Sequence, residues 1–240
     1  MTWRVQISGE KVDLDALANA FNNDDHRLFN DENQYFLESK KFENASGSNE
    51  VLTMANDLLG VLSGIARLEF GAIEPFKPGH VLRVRPDGRK DFFLPTDALH
   101  FRVKLGKVKF IISGGRETNV ENADPARSWA SIAYKDEAVS KALRLFGKDA
   151  NNWEGLYRLL EVIEADVGET GGIVAAGWAT KRSLIRFKRT ANSPSATGDL
   201  ARHGKERTQP PKNPMTLPEA GDLIEVILHG WLRSKGNGSA

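Results

Sequence analysis

The chain has 240 residues, 40% hydrophobic and 27% charged, a balance that excludes a disordered chain and leaves room for one large core or two small ones. It carries no cysteine, which excludes disulfides and thiolate zinc sites and fits a reducing compartment. The formal net charge of +1 conceals an asymmetry: residues 181–212 hold nine Lys/Arg and two acids, so the rest of the chain is net negative.

Trp3, Val5 and Ile7 alternate with polar residues and predict a short strand. Asp13 is placed to cap a short helix carrying Leu14, Leu17 and Phe21. Leu28-Phe29 and Tyr35-Phe36-Leu37 flank the polar turn Asp31-Glu32-Asn33 and predict a hairpin. The acidic pairs Asp24-Asp25 and Asp31-Glu32 read as turn chemistry more simply than as a cation site. Leu52, Ala55, Leu58, Leu59, Leu62 and Ile65 recur at three and four residues, the pattern of an amphipathic helix with Gly60 and Gly64 as weak points. Val81–Arg85 and Phe92–Leu94 predict a hairpin across Pro86-Asp87-Gly88. Phe101, Val103 and Leu105 predict another with Val108, Phe110 and Ile112.

Ser113 to Pro125 is a polar, glycine-containing linker, and beyond it the apolar period is that of helices. Val139 to Phe146 form one face, ended by Gly147; Leu156 to Val167 form the next, ended by Gly168. A shorter helix is expected from Ile173 to about Phe187. Ala220 to Trp231 form the last face, behind the capping box Thr216-Leu217-Pro218-Glu219. The fold class is therefore α+β: an N-terminal antiparallel sheet with one main helix over 1–115, then an α-helical bundle over 128–234, with a disordered tail over 235–240. No uninterrupted apolar run reaches bilayer length and the N-terminus lacks a signal-peptide pattern, so a cytoplasmic protein with no membrane partner is expected.

The segment Arg186–Pro214 shows little helical period and is long for a connection. Arg186, Lys188, Arg189, Arg202, Lys205 and Arg207 are candidate phosphate contacts, with Ser193, Ser195, Thr197 and Gly198 offering further donors. RNA or another polyanion is the implied partner. The competing expectation is internal, since residues 136–169 hold eight acids and four bases and offer those cations an acidic face. Trp178 and Phe187 are the aromatics nearest in sequence. His203 beside Arg202 is a candidate general acid or base, with Arg202, Arg189 or Lys188 supplying positive charge to the phosphate. Metal-independent RNA cleavage needs a second proton-transfer group, which His203 of a second copy would supply across a homodimer. A third expectation is a protein–protein adaptor or homodimer using the apolar last helix. The other histidines show no metal spacing and no phosphate loop or nucleophile elbow is present, so no metal and no cofactor is expected, and the reading leans away from catalysis.

Trp153-Glu154-Gly155-Leu156-Tyr157, Arg189 to Pro194, Gly198 to Gly204 and Pro210 to Met215 resemble a group of uncharacterised bacterial proteins over roughly residues 130–234. More distantly, a helical bundle with a polar His-Gly loop before its last helix is similar to the HEPN-type domains of abortive-infection proteins. That resemblance implies phage defence and, in many members, ribonuclease activity. Their Arg-then-His spacing of four to six intervening residues is not met at His203, where the corresponding positions are Ala196, Thr197 and Gly198.

Overall fold

The computed structural model describes residues 2–22, 25–94, 123–206 and 209–237. The hairpin expected over 101–112, most of the linker and Arg207 lie outside them. The fold is α+β, with an N-terminal antiparallel sheet followed by helices. The chain divides into two compact units, Met1–Leu59 with Ala72–Arg127 and Gly60–Gly71 with Ser128–Ala240.

In the N-terminal unit five strands, β1 (Thr2–Ser8), β2 (His26–Asp31), β3 (Gln34–Ser39), β4 (Lys77–Val84) and β5 (Lys90–Phe93), are ordered β2-β3-β1-β4-β5, all antiparallel. The register pairs Val5 with both Leu37 and Val81, and Leu37 with Leu28. These four share one face and are almost wholly buried. Tyr35, on the same face, donates from its hydroxyl to Asp15 of α1 (Lys11–Ala20). That helix begins behind Glu10, so Asp13 lies in its first turn rather than capping it. Glu32 and Asn33 both have positive φ (50° and 64°), which makes the first hairpin loop the two-residue type that matches strand twist.

Two histidines of this unit set an acid limit on its stability. His26 is buried, with Nδ1 2.9 Å from Ser39 Oγ, and burial then Lys41 lower its pKa. Burial also lowers that of His80. Both shifts favour the neutral ring in the folded state. Their contribution is complete above the unfolded value of about 6.5 and is lost as pH falls below it. Thermal unfolding followed from pH 7.5 to 5.5, above the carboxylate range, should show a falling Tm for this unit. A flat profile would contradict the assignment of a neutral imidazole to buried His26 and half-buried His80.

Helix α2 (Ser48–Phe70) begins in the N-terminal unit and ends in the C-terminal one. Among the described residues it is the one helix long and apolar enough to cross a membrane by length and composition, and 56% of its most apolar window is buried inside the protein. A core helix passes the same test. From Val61 to Ala66 every residue is buried.

The C-terminal unit continues with α3 (Ala123–Lys135), α4 (Glu137–Asp149), α5 (Trp153–Val167), α6 (Glu169–Ala175), α7 (Lys181–Ala191), α8 (Pro194–Thr197) and α9 (Leu217–Asn237). Side-chain caps start several of them: Asp136 accepts from Ala138 and Val139, Asn152 from Gly155, and Thr180 from Ser183. The box foreseen at Thr216 forms, with Glu219 accepting from the Thr216 amide at 2.7 Å. Leu143, Leu156, Ile163, Phe187, Ile227 and Trp231 are fully buried or nearly so.

Three expectations are corrected here. Gly147 does not end α4, which runs two residues further; it lies where α2 and α4 touch backbone to backbone, and a methyl group there would sit 2.5 Å from the Gly64 amide nitrogen. The helix expected from Ile173 to Phe187 is two helices, because Gly177 takes a left-handed φ of 75° and Thr180 caps a new start. The helix α9 extends through Asn237, past the expected end at 234, and Lys235 pairs with Asp136 at 2.9 Å and Asp166 at 2.8 Å.

Candidate anion-binding face

The basic segment is less loop-like than its sequence reads. Leu184, Phe187 and Ala191 fall at helical spacing and are buried, so Arg186 to Ala191 is the second half of α7. A short helix, α8, and a 3₁₀ turn at Gly198–Leu200 follow. The expectation of little helical order over Arg186–Pro214 is overturned for this first part.

The candidate phosphate contacts separate into two groups. Lys188 Nζ donates to both oxygens of the Glu164 carboxylate at 2.7 Å and to the Thr170 hydroxyl oxygen at 3.0 Å. Glu164 is 4% exposed, so this is an internal ion pair rather than a surface charge. Arg186 donates to the carbonyls of Asn213 (2.8 Å) and Pro214 (3.1 Å) and pairs with Glu219 at 3.2 Å, tying the start of α9 to α7. Hydrogen bonds from the Thr216 amide, then the charge of Arg186, hold the Glu219 carboxyl below its ordinary range. Arg202 pairs with Glu161 at 2.9 Å, and its guanidinium lies over the Tyr157 ring at 4.1 Å. Tyr157 stacks on buried Phe187, so this cation closes an aromatic stack.

The second group is unpaired among the described residues. Arg189 and Lys205 are exposed with no carboxylate partner there. Lys181 and Arg182, at the start of α7, are in the same condition. Lys181, Arg182, Ile185 and Arg189 form one exposed stripe at helical spacing, and α7 itself contains no acidic residue. A depression of about 330 Å³ beside this helix is lined by Arg182, Ser183, Arg186 and Met215. Lys181 and Arg182 fall outside the six expected contacts, because in sequence the loop-like stretch starts only at Arg186. The signal was Thr180-x-x-Ser183, which marks a helix start and puts both cations in its first turn.

The small residues proposed as phosphate donors are partly engaged. Glu206 accepts from the Ser195 hydroxyl (2.7 Å) and amide (3.0 Å) and from the Ser193 hydroxyl (3.1 Å). Those bonds, Ser195 first, hold its carboxyl below the usual range. His203 is half-buried, and no hydrogen bond joins it to another described residue. Trp178 is half-buried and packed against α9, where a side chain at Gly230 would meet its ring, and Phe187 is fully buried and so offers no stacking surface. Among the described residues no three His, Asp or Glu converge as a metal site requires. Comparison with protein-family models, with curated proteins and with solved structures finds no match.

Proposed function

We propose that this is a nucleic-acid-binding protein whose C-terminal unit meets phosphates through Lys181, Arg182 and Arg189 of α7 and Lys205 of the following segment. One observation carries the reading. The neighbouring cations Arg186, Lys188 and Arg202 are each neutralised by a carboxylate, whereas these four are exposed without one among the described residues. An unpaired cation breaks no ion pair when it meets a phosphate, and each phosphate so neutralised releases counterions.

The test is a titration of labelled RNA and DNA at low and moderate salt. Four phosphate contacts give a log–log slope of about −2.8 for single strands to about −3.6 for a duplex, so affinity should fall roughly 50- to 150-fold between about 50 and 200 mM salt. No binding at the lower salt would remove the proposal.

A further inference from the structure

The N-terminal sheet has a second face, opposite Val5 and Leu37. By register it carries Arg27 and Phe29 of β2, Phe36 of β3, Arg4 of β1, His80 of β4 and Phe92 of β5. The four rings form a row, with successive centroids 6.1, 6.1 and 5.7 Å apart.

This face is concave. Its edge strands are β2 and β5, which four spacings of about 4.8 Å would hold roughly 19 Å apart in a flat sheet. Yet Lys90 of β5 and Asp31 of β2, both on this face, approach to 3.8 Å. Likewise Phe36 and His80 touch although β1 lies between their strands. The curl buries the floor, with Phe36 5% exposed, and leaves Phe92 at the rim 66% exposed.

Two polar groups of the trough lack a partner among the described residues. The Nε2 atom of His80 is buried and has no hydrogen-bond partner among the described residues, a condition that costs free energy. Arg27 is exposed, lies over the Phe29 ring at 4.7 Å, and has no carboxylate partner among the described residues. Arg4 also covers Phe29, at 5.1 Å, but is already paired with Glu38 at 2.7 Å.

An open ring face, a polar atom beside it and a free guanidinium further along suit an unpaired base with its backbone. A duplex offers no exposed base face to such a trough. We propose that this concave face binds single-stranded nucleic acid, a base stacking on the exposed Phe92 ring beside His80, and Arg27 meeting a phosphate. The inference stands on the N-terminal unit and is independent of α7.

The experiment compares a thymidylate oligomer with a base-free deoxyribose-phosphate oligomer of equal length, each titrated by anisotropy against the full chain. The thymidylate oligomer should bind more tightly. Phe92→Ala should weaken it about 5- to 150-fold, the worth of one stacked base, and leave the base-free oligomer unchanged. Phe92→Tyr, which keeps the ring, should retain wild-type affinity and serves as the folding control. Neutralising the four α7-region cations should instead weaken both oligomers alike, so the two surfaces fail separately. Equal affinity for the two oligomers, no binding of the thymidylate oligomer, or a Phe92→Ala protein that binds it unchanged would each overturn the proposal.

Discussion

Lys188→Met is expected to destabilise the C-terminal unit by roughly 3 kcal/mol while changing nucleic-acid affinity no more than a few-fold. The substitution keeps the apolar stem and removes the charge, leaving the buried Glu164 carboxylate with only the Thr170 hydroxyl. Breaking a buried pair from one side costs about 3–5 kcal/mol, because the remaining charge stays desolvated. The lower end applies, since the Lys188 side chain is 28% exposed. Urea unfolding reads the loss. Adding Glu164→Gln should recover much of it, as no lone charge then remains. If Lys188→Met leaves stability intact but abolishes binding, the lysine is a phosphate contact and its pairing is incidental.

Gly64→Ala sets two effects of opposite sign against each other. Helix propensity alone favours alanine by about 1 kcal/mol within α2. Packing opposes it, because the new methyl would collide with the carbonyl oxygen of Leu143 in α4, and that backbone has no side-chain freedom to yield. Overpacking of this kind costs about 3 kcal/mol or more, so the net expectation is a loss of at least about 2 kcal/mol. Gly221→Ala in α9 is the control: nothing lies within 4 Å of the added atom, and stability should hold or rise. Equal urea midpoints for the two variants would refute the close crossing of α2 and α4.

Those glycines show where a sequence can be read and where it cannot. The strand at Trp3-Val5-Ile7, the hairpin around Glu32-Asn33 and the turn at Pro86-Asp87-Gly88 were legible, since alternation and turn chemistry are local. So were the apolar faces of α4, α5 and α9 and the cap at Thr216. Gly64 and Gly147 read as a weak point and a terminator because propensity sees only their own helix. Their value lies in the partner helix, more than seventy residues away in sequence. The same limit governs the candidate site. Six cations looked alike in one segment, yet Lys188 is matched by Glu164, Arg186 by Glu219 and Arg202 by Glu161, pairings set by helix packing. Two of those partners, Glu161 and Glu164, belong to the acidic stretch weighed at the outset as an internal counter-face.

The distinction between matched and unmatched cations is what a binding measurement should find. Changing Lys181, Arg182, Arg189 and Lys205 together to glutamine leaves the ion pairs of Arg186, Lys188, Arg202 and Lys235 in place. Titrated with double-stranded RNA at two salt concentrations, this variant should lose nearly all low-salt affinity and most of the salt dependence, while Arg202→Gln, which breaks the pair with Glu161 and the contact over Tyr157, stays within a few-fold of wild type. A fourfold variant that binds as tightly as wild type, with the same salt slope, would contradict the account.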